Sequence, residues 1–432
     1  MPRAVFLAAA LWLFVLASTW PVDAQRAGMF RGSSEDPAIE YSTTTSLNNA
    51  VADVNRKLAD GTVRLTFDGR SGFLQSVLDA LNLSVDSQLL VFSRFSLQRK
   101  LINEQNPRAL FFNDQVALGF VRGGDVIEVA AHDATAGVVF YTLEQRADSG
   151  GGPPQFKRAF ECLGCHVTGS TLGVPGLLMF STTRPESPES SGLPRQIDHG
   201  DDLARRFGGW FVTGDTGSQP HMGNDATVLD GRSRELSSVE NLFDADGYRA
   251  LTSDIVAHLV LTHQAGMTNL LTRAGWEARI AESWLHPPYT PTPGQDARTA
   301  RIMEDIAREL VDYLLFIDEA RLTGGVRGGS GFAQRFSASG PRDRKGRSLY
   351  DLDLDRRLMK YPCSYLIYSP AFDALPELVK APVYRRLWAV VSGDEQAPQY
   401  RSALSLGDRQ AIVEILRDTK KDLPQYFQTV TR

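Results

Sequence analysis

Cysteine is scarce in this chain, with three residues in 432. That excludes the disulfide framework that staples small exported domains. There is no excess of one charge either: Lys and Arg number 46, Asp and Glu 51, for a formal net charge of −5. The basic residues are dispersed, which argues against nucleic acid or an anionic membrane surface as the main partner. Beyond the first 25 residues no apolar run approaches the roughly 18 residues that a membrane span takes. Internal repeats are absent, and no phosphate-binding loop, G-x-G-x-x-G fingerprint or Ser/His/Asp order stands out.

What is present begins at the N-terminus. Arg3 and the apolar run Ala4 to Ala17, followed by Val22 and Ala24 at the −3 and −1 positions, read as a signal peptide over residues 1–24. Cleavage before Gln25 sends the chain to the periplasm, with no membrane span in the mature form. The mature length suits two or three domains. Residues 25–148 read as an N-terminal α+β domain. Helical periodicity covers Ser46–Leu58 and Gly72–Leu83, and strand-like runs follow at Leu89–Phe92, Ala109–Phe112, Gln115–Val121, Val126–Ala131 and Val138–Leu143. The Asn113-Asp114 and Gly123-Gly124 pairs punctuate these runs as an antiparallel meander would require. A Gly/Pro linker, DSGGGPPQ (148–155), comes next.

Residues 149–323 then form a mainly helical region with long irregular loops, and 324–432 a mainly helical C-terminal region packed on it. The expected helices start after an N-cap at Ser253 and run to about Trp284, with a His286-Pro287-Pro288 stop; from about Asp296 to Leu322; and from Leu406 to Thr419 behind a Ser405/Asp408 capping box. The fold class expected is α+β.

The segment ECLGCHVTG (161–169) contains Cys-x-x-Cys-His, the attachment signature of c-type haem. Two thiols three positions apart on a helical turn can reach two vinyl groups along one porphyrin edge, and the next imidazole faces the iron. Cys162 and Cys165 are thus the covalent attachment points and His166 the proximal ligand of one haem c. A thioredoxin-like pair would want a strand before the motif and not a Gly/Pro linker. Structural zinc would want a second ligand pair. The third cysteine, Cys363 in YPCSYLIYS, has the apolar neighbourhood of a buried free thiol.

The sixth iron position has two named candidates. His221, in the glycine-rich loop GDTGSQPHMGND (214–225), comes first, with Met222 beside it as an alternative. His263 comes second, at the centre of the apolar stripe of Ile255, Val256, Leu259, Val260, Leu270 and Ala274, where a hydrogen-bonded core role competes with ligation. His258 points nearly opposite. His199, flanked by acids in QIDHGDD, reads as solvated; His132 and His286 read as a strand end and a helix stop. Arg205 and Arg206 before Trp210 fit either haem propionates or a turn entering a strand. Asp351, Asp353 and Asp355 alternate with leucines like the solvent side of a strand or turn.

The chain resembles a group of largely uncharacterised bacterial periplasmic proteins with a single haem c motif. The stretches that carry the resemblance include QLLVFSRFSLQ (88–98), ECLGCH (161–166), RFGGWFVTG (206–214), HMGN (221–224), THQAGM (262–267) and RKGRSLYDLDLDRRLMKYPCSYLIYSPAFDALP (344–376). The resemblance implies cytochrome c-type haem binding and points to His221 and His263; it implies no substrate. The expected function is one-electron transfer to a periplasmic redox partner protein. The alternative is a haem enzyme or sensor with an open sixth position, acting on a peroxide, nitrogen or sulfur species.

Overall fold

The computed structural model describes residues 34–147, 152–182, 194–217, 219–224, 235–286 and 294–428. The expected signal peptide, residues 148–151 of the linker and the proline stop at 287–288 lie outside them.

Helices α1 (Ala50–Ala59) and α2 (Leu74–Ala80) precede a meander of β1 (Leu89–Val91), β2 (Arg108–Phe112), β3 (Val116–Phe120), β4 (Val126–Asp133) and β5 (Gly137–Glu144). Every neighbour pair is antiparallel. The Asn113 carboxamide oxygen accepts the backbone N–H groups of Gln115 and Val116 and turns β2 into β3. Gly123, at φ 73°, supplies the left-handed residue between β3 and β4. The sheet then recruits two later segments: β6 (Lys157–Arg158) beside β5, and β9 (Trp210–Phe211) beside β1, while β7 (Phe180–Ser181) and β8 (Arg195–Gln196) pair separately.

Strand alternation sorts the side chains onto two faces. Ala109, Phe111, Leu118, Val129, Val139 and Tyr141 pack with α1 and α2 in one core. Leu89, Val91 and Phe112 face the opposite way, into a larger core built around α4 (Ile255–Ser283). This helix is buried on nearly all sides, so the apolar stripe expected around His263 is only part of its buried surface. It runs from β9 to the β4–β5 turn: Phe211 O lies 3.0 Å from His258 Nε2, and the Trp276 indole N–H donates to Ala136 O at 3.2 Å. The N-cap is Asp254, whose carboxylate accepts from Val256 and Ala257 N–H. Ser253, expected in that role, instead joins strands: its hydroxyl donates to Phe211 O and accepts from Leu90 N–H.

Outside α4 lie α5 (Gln295–Leu314), α6 (Phe332–Ser339), α7 (Pro370–Asp373), α8 (Glu377–Ser392), α9 (Pro398–Ala403) and α10 (Leu406–Thr419), the last with its Ser405/Asp408 capping box. The fold is α+β, with an antiparallel sheet in the N-terminal half and helices in the C-terminal half. The helix expected from Asp296 to Leu322 stops at Leu314. Ser364 N–H takes the Leu314 carbonyl at 2.7 Å, and Phe316 adopts a left-handed backbone at φ 54°. No helix among the described residues is long and apolar enough to cross a membrane.

Gly208 fixes the approach of β7 to β9. Its carbonyl accepts from Thr182 N–H and its N–H donates to Ser181 Oγ, so close that a Cβ would overlap the Thr182 carbonyl oxygen. Gly208→Ala is therefore expected to cost about 2 kcal/mol, the middle of the range for forced overpacking. Urea unfolding monitored by tryptophan fluorescence checks this, since Trp210 lies two residues away; an unchanged midpoint would contradict it.

Candidate functional site

The Cys-x-x-Cys-His motif follows β6 directly, so a strand does precede it, and the linker argument against a redox pair does not hold in the fold. A single 3₁₀ turn (Phe160–Cys162) leads into the four-residue helix α3 (Leu163–His166). Cys162 and Cys165 are both free thiols, the first half-buried and the second exposed. Burial, with Glu128 and Glu161 nearby, pushes the Cys162 thiol up to about 11. That is opposite to the depressed pKa of a reactive redox pair, and it keeps the thiol protonated at neutral pH.

His166 is held from the other side. The chain loops back so that Gly176 N–H donates to His166 O at 3.0 Å, and His166 Nδ1 lies 2.8 Å from Gly176 O. A carbonyl only accepts, so Nδ1 carries the proton and donates. Nε2 is left with its lone pair, the tautomer a metal-binding imidazole needs. Burial lowers the His166 pKa, keeping the ring neutral. The loop is in turn clamped to α4: the Asn269 carboxamide accepts from Leu177 N–H at 2.8 Å and donates to Leu177 O at 2.9 Å. Gly176 fits beneath this clamp only because it has no Cβ.

The ring of His166 packs on Phe140, centroids 4.6 Å apart. Phe140 belongs to a small cluster with Val138 and Ala159, flanked by Ala130, Cys162, Leu163 and Leu177. On the adjoining part of this sheet face Gly119 lies under the Arg108 guanidinium, and Ala117 and Ala130 line a cavity of about 10 Å³ with Val138, Leu177 and Thr268. At its edge Arg108 and Glu128 form a largely buried ion pair at 2.6 Å. Glu128 also accepts from Ser96 Oγ and Gln98 Nε2. Arg108 and Glu128 are the charged groups felt by both Cys162 and His166. Exposed Phe95, Leu97 and Phe160 stand in these bordering segments, with Phe95 edge-on to Phe180.

No family model, curated protein or solved structure matches this chain. The chemistry of the site therefore rests on the residues themselves. Among the described residues no three His, Cys, Asp or Glu side chains converge on a metal-ion position, so the motif is not completed there as a structural zinc site.

The two sixth-ligand candidates are not brought to His166. His221 is buried beside Gly223, in the neighbourhood of Val212 and Phe207, close enough to influence the His258 pKa. His258 and Asn269 are eleven residues apart on α4, about 16 Å at 1.5 Å per residue. His263 has both ring nitrogens engaged: Nδ1 lies 2.8 Å from His199 Nδ1, and Nε2 lies 2.8 Å from Ser364 Oγ. The neighbouring Met222 thioether lies 3.6 Å from Ser181 Oγ.

His199 is not solvated. Its ring is turned inward and stacks on Tyr313 at 4.0 Å, because the flanking acids turn outward to Arg195 and to local backbone N–H groups. Nor does Arg206 face the motif; its guanidinium is buried and donates to the His199 and Asp201 carbonyls. Asp353 caps a turn, accepting from Asp355 and Arg356 N–H. Cys363 is the buried free thiol expected, and burial raises its pKa.

Sequence reasoning passed over Arg108, Glu128, Phe140 and Asn269. The first three sit in ordinary strand alternation and acquire meaning only from the register that sets them beside the motif. Asn269 carried no distinguishing signal, being one of many polar residues on α4, among them Thr262, Gln264, Thr268 and Thr272.

Proposed function

We propose that the protein is a periplasmic c-type cytochrome that carries one covalent haem on Cys162 and Cys165 with His166 on the iron, and that it passes single electrons to a redox partner protein. The observation that carries this reading is the His166 Nδ1–Gly176 carbonyl bond, which leaves Nε2 with the lone pair that an iron ligand needs. When bound, the iron would supply a one-electron couple. The chain's own part is to hold His166 neutral and oriented through Gly176 and Asn269, and to keep a paired Arg108 and Glu128 at the rim. The resemblance to periplasmic monohaem proteins accords with this reading.

A second reading has its own observation. Both ring nitrogens of His263 are already engaged, by His199 and Ser364. That favours an open sixth position, as in a haem enzyme or sensor. Optical spectra of the purified ferric and ferrous protein test both. A haem absorbance with low-spin ferric bands and no rapid carbon monoxide binding is the expected result for a carrier. High-spin bands with rapid carbon monoxide binding assign the enzyme or sensor, and absence of haem absorbance after export with a maturation system overturns both.

A further inference from the structure

Away from the motif, a second site is built where the end of α5, the Asp353–Pro362 loop and the α9–α10 junction meet. A half-open cavity of about 400 Å³ lies there, within the size range of small-molecule sites. Three arginines line it, Arg321, Arg356 and Arg357, together with Glu319 and Asp408. Their pairing is unequal. Arg357 is spent on Asp408, with which it bonds at 2.6 Å, while Asp408 is further saturated by Ser405. Arg356 holds Asp353 at 2.9 Å but is three-quarters exposed and can swing away. Arg321 makes no hydrogen bond or ion pair with any described residue and lies exposed at the rim.

Glu319 sits deeper. One carboxylate oxygen accepts from Leu358 N–H at 2.8 Å, and the side chain lines the cavity. Burial raises its pKa to about 7, against the Leu358 N–H and the guanidinium groups of Arg206 and Arg357. A carboxyl near neutrality in a cleft, next to spare guanidinium groups, is the kind of perturbed group that marks functional sites. In either protonation state it can hydrogen-bond a ligand hydroxyl.

We propose that this cavity binds a small organic oxyanion that also bears a hydroxyl, its carboxylate or phosphate held by Arg321 and Arg356 and its hydroxyl by Glu319. Planar guanidinium forks suit both oxyanions, which is the shared chemistry. The proposal stands independently of the haem.

Calorimetric titration of the full mature chain at constant ionic strength tests it, with malate, glycerol phosphate, succinate and sodium chloride as probes. Saturable one-to-one binding of malate or glycerol phosphate is expected, and which of the two binds tells carboxylate from phosphate. Affinity should fall at least tenfold in Arg321→Gln/Arg356→Gln, both surface positions, with unchanged circular dichroism. Glu319→Ala should remove any preference for malate over succinate while leaving the anion contact. No saturable binding of malate or glycerol phosphate, or equal affinity in the arginine double variant, overturns the proposal.

Discussion

A Cys162→Ala/Cys165→Ala chain is expected to lose all haem on acid–acetone extraction, while the wild-type chain keeps it through both precipitation and denaturing electrophoresis. The effect is all-or-none because a thioether forms only at a cysteine, and the remaining thiol, Cys363, is sealed in the core. Cys363→Ala is therefore the matched control and should retain full haem stain. Each single variant at Cys162 or Cys165 should keep one thioether. Cys165 is already exposed, so its substitution should disturb packing less than that of half-buried Cys162. Haem surviving extraction in the double variant would sink the assignment of the motif.

The second large effect is acid instability. His258 and His263 are fully buried, and burial lowers the pKa of each to about 3. His199 is lowered well below its usual value by burial, by His263 and by Arg206. A depressed folded-state pKa contributes stability that is complete above the unfolded value near 6.5 and is lost as pH falls towards the folded value. At about 1.4 kcal/mol per pH unit, one such imidazole accounts for on the order of 5 kcal/mol over the full window. That is a large share of a domain's usual total of about 5–15 kcal/mol. His132, lowered to about 4, acts in the same direction. Glu319, raised to about 7, acts in the opposite one, since its folded form gains a proton first. Urea unfolding between pH 7 and 4.5 should therefore show a steep fall in stability, and His258→Gln should reduce that slope by about one proton's worth. A flat profile across this range would show that these rings do not stay neutral.

Much of the sheet was legible because its signals are local. Alternating apolar residues, Asn113 at one turn and Gly123 at the next each act within a few positions, and the five strands form where the pattern places them. The Ser405/Asp408 cap is legible for the same reason. The motif residues were legible because Cys-x-x-Cys-His is a fixed local spacing. What escaped depends on long-range contacts. The early end of α5 is set by Ser364, fifty residues on from Leu314. The inward turn of His199 is set by Tyr313 and His263. The set of side chains beside His166 exists only in the register of β2, β3 and β4, where Ala117 meets Ala130 and Gly119 meets Glu128. No window of sequence contains that neighbourhood.

The strand β9 pairs with β1, and Ser253 bonds both while the chain enters α4. This closure has a consequence for the order of folding. The five-strand meander can assemble from near neighbours as the chain appears, but its first strand waits for a partner more than a hundred residues later. Bringing such distant segments together carries a loop-closure cost in entropy that grows only slowly with length, yet it delays the contact. The Cys162–His166 turn lies between the two events. A chain still lacking β9 would leave its β1 edge unpaired, while β6 and the Cys162–His166 turn already follow on from β5. Closure brings in α4, whose Asn269 clamps the loop that holds His166.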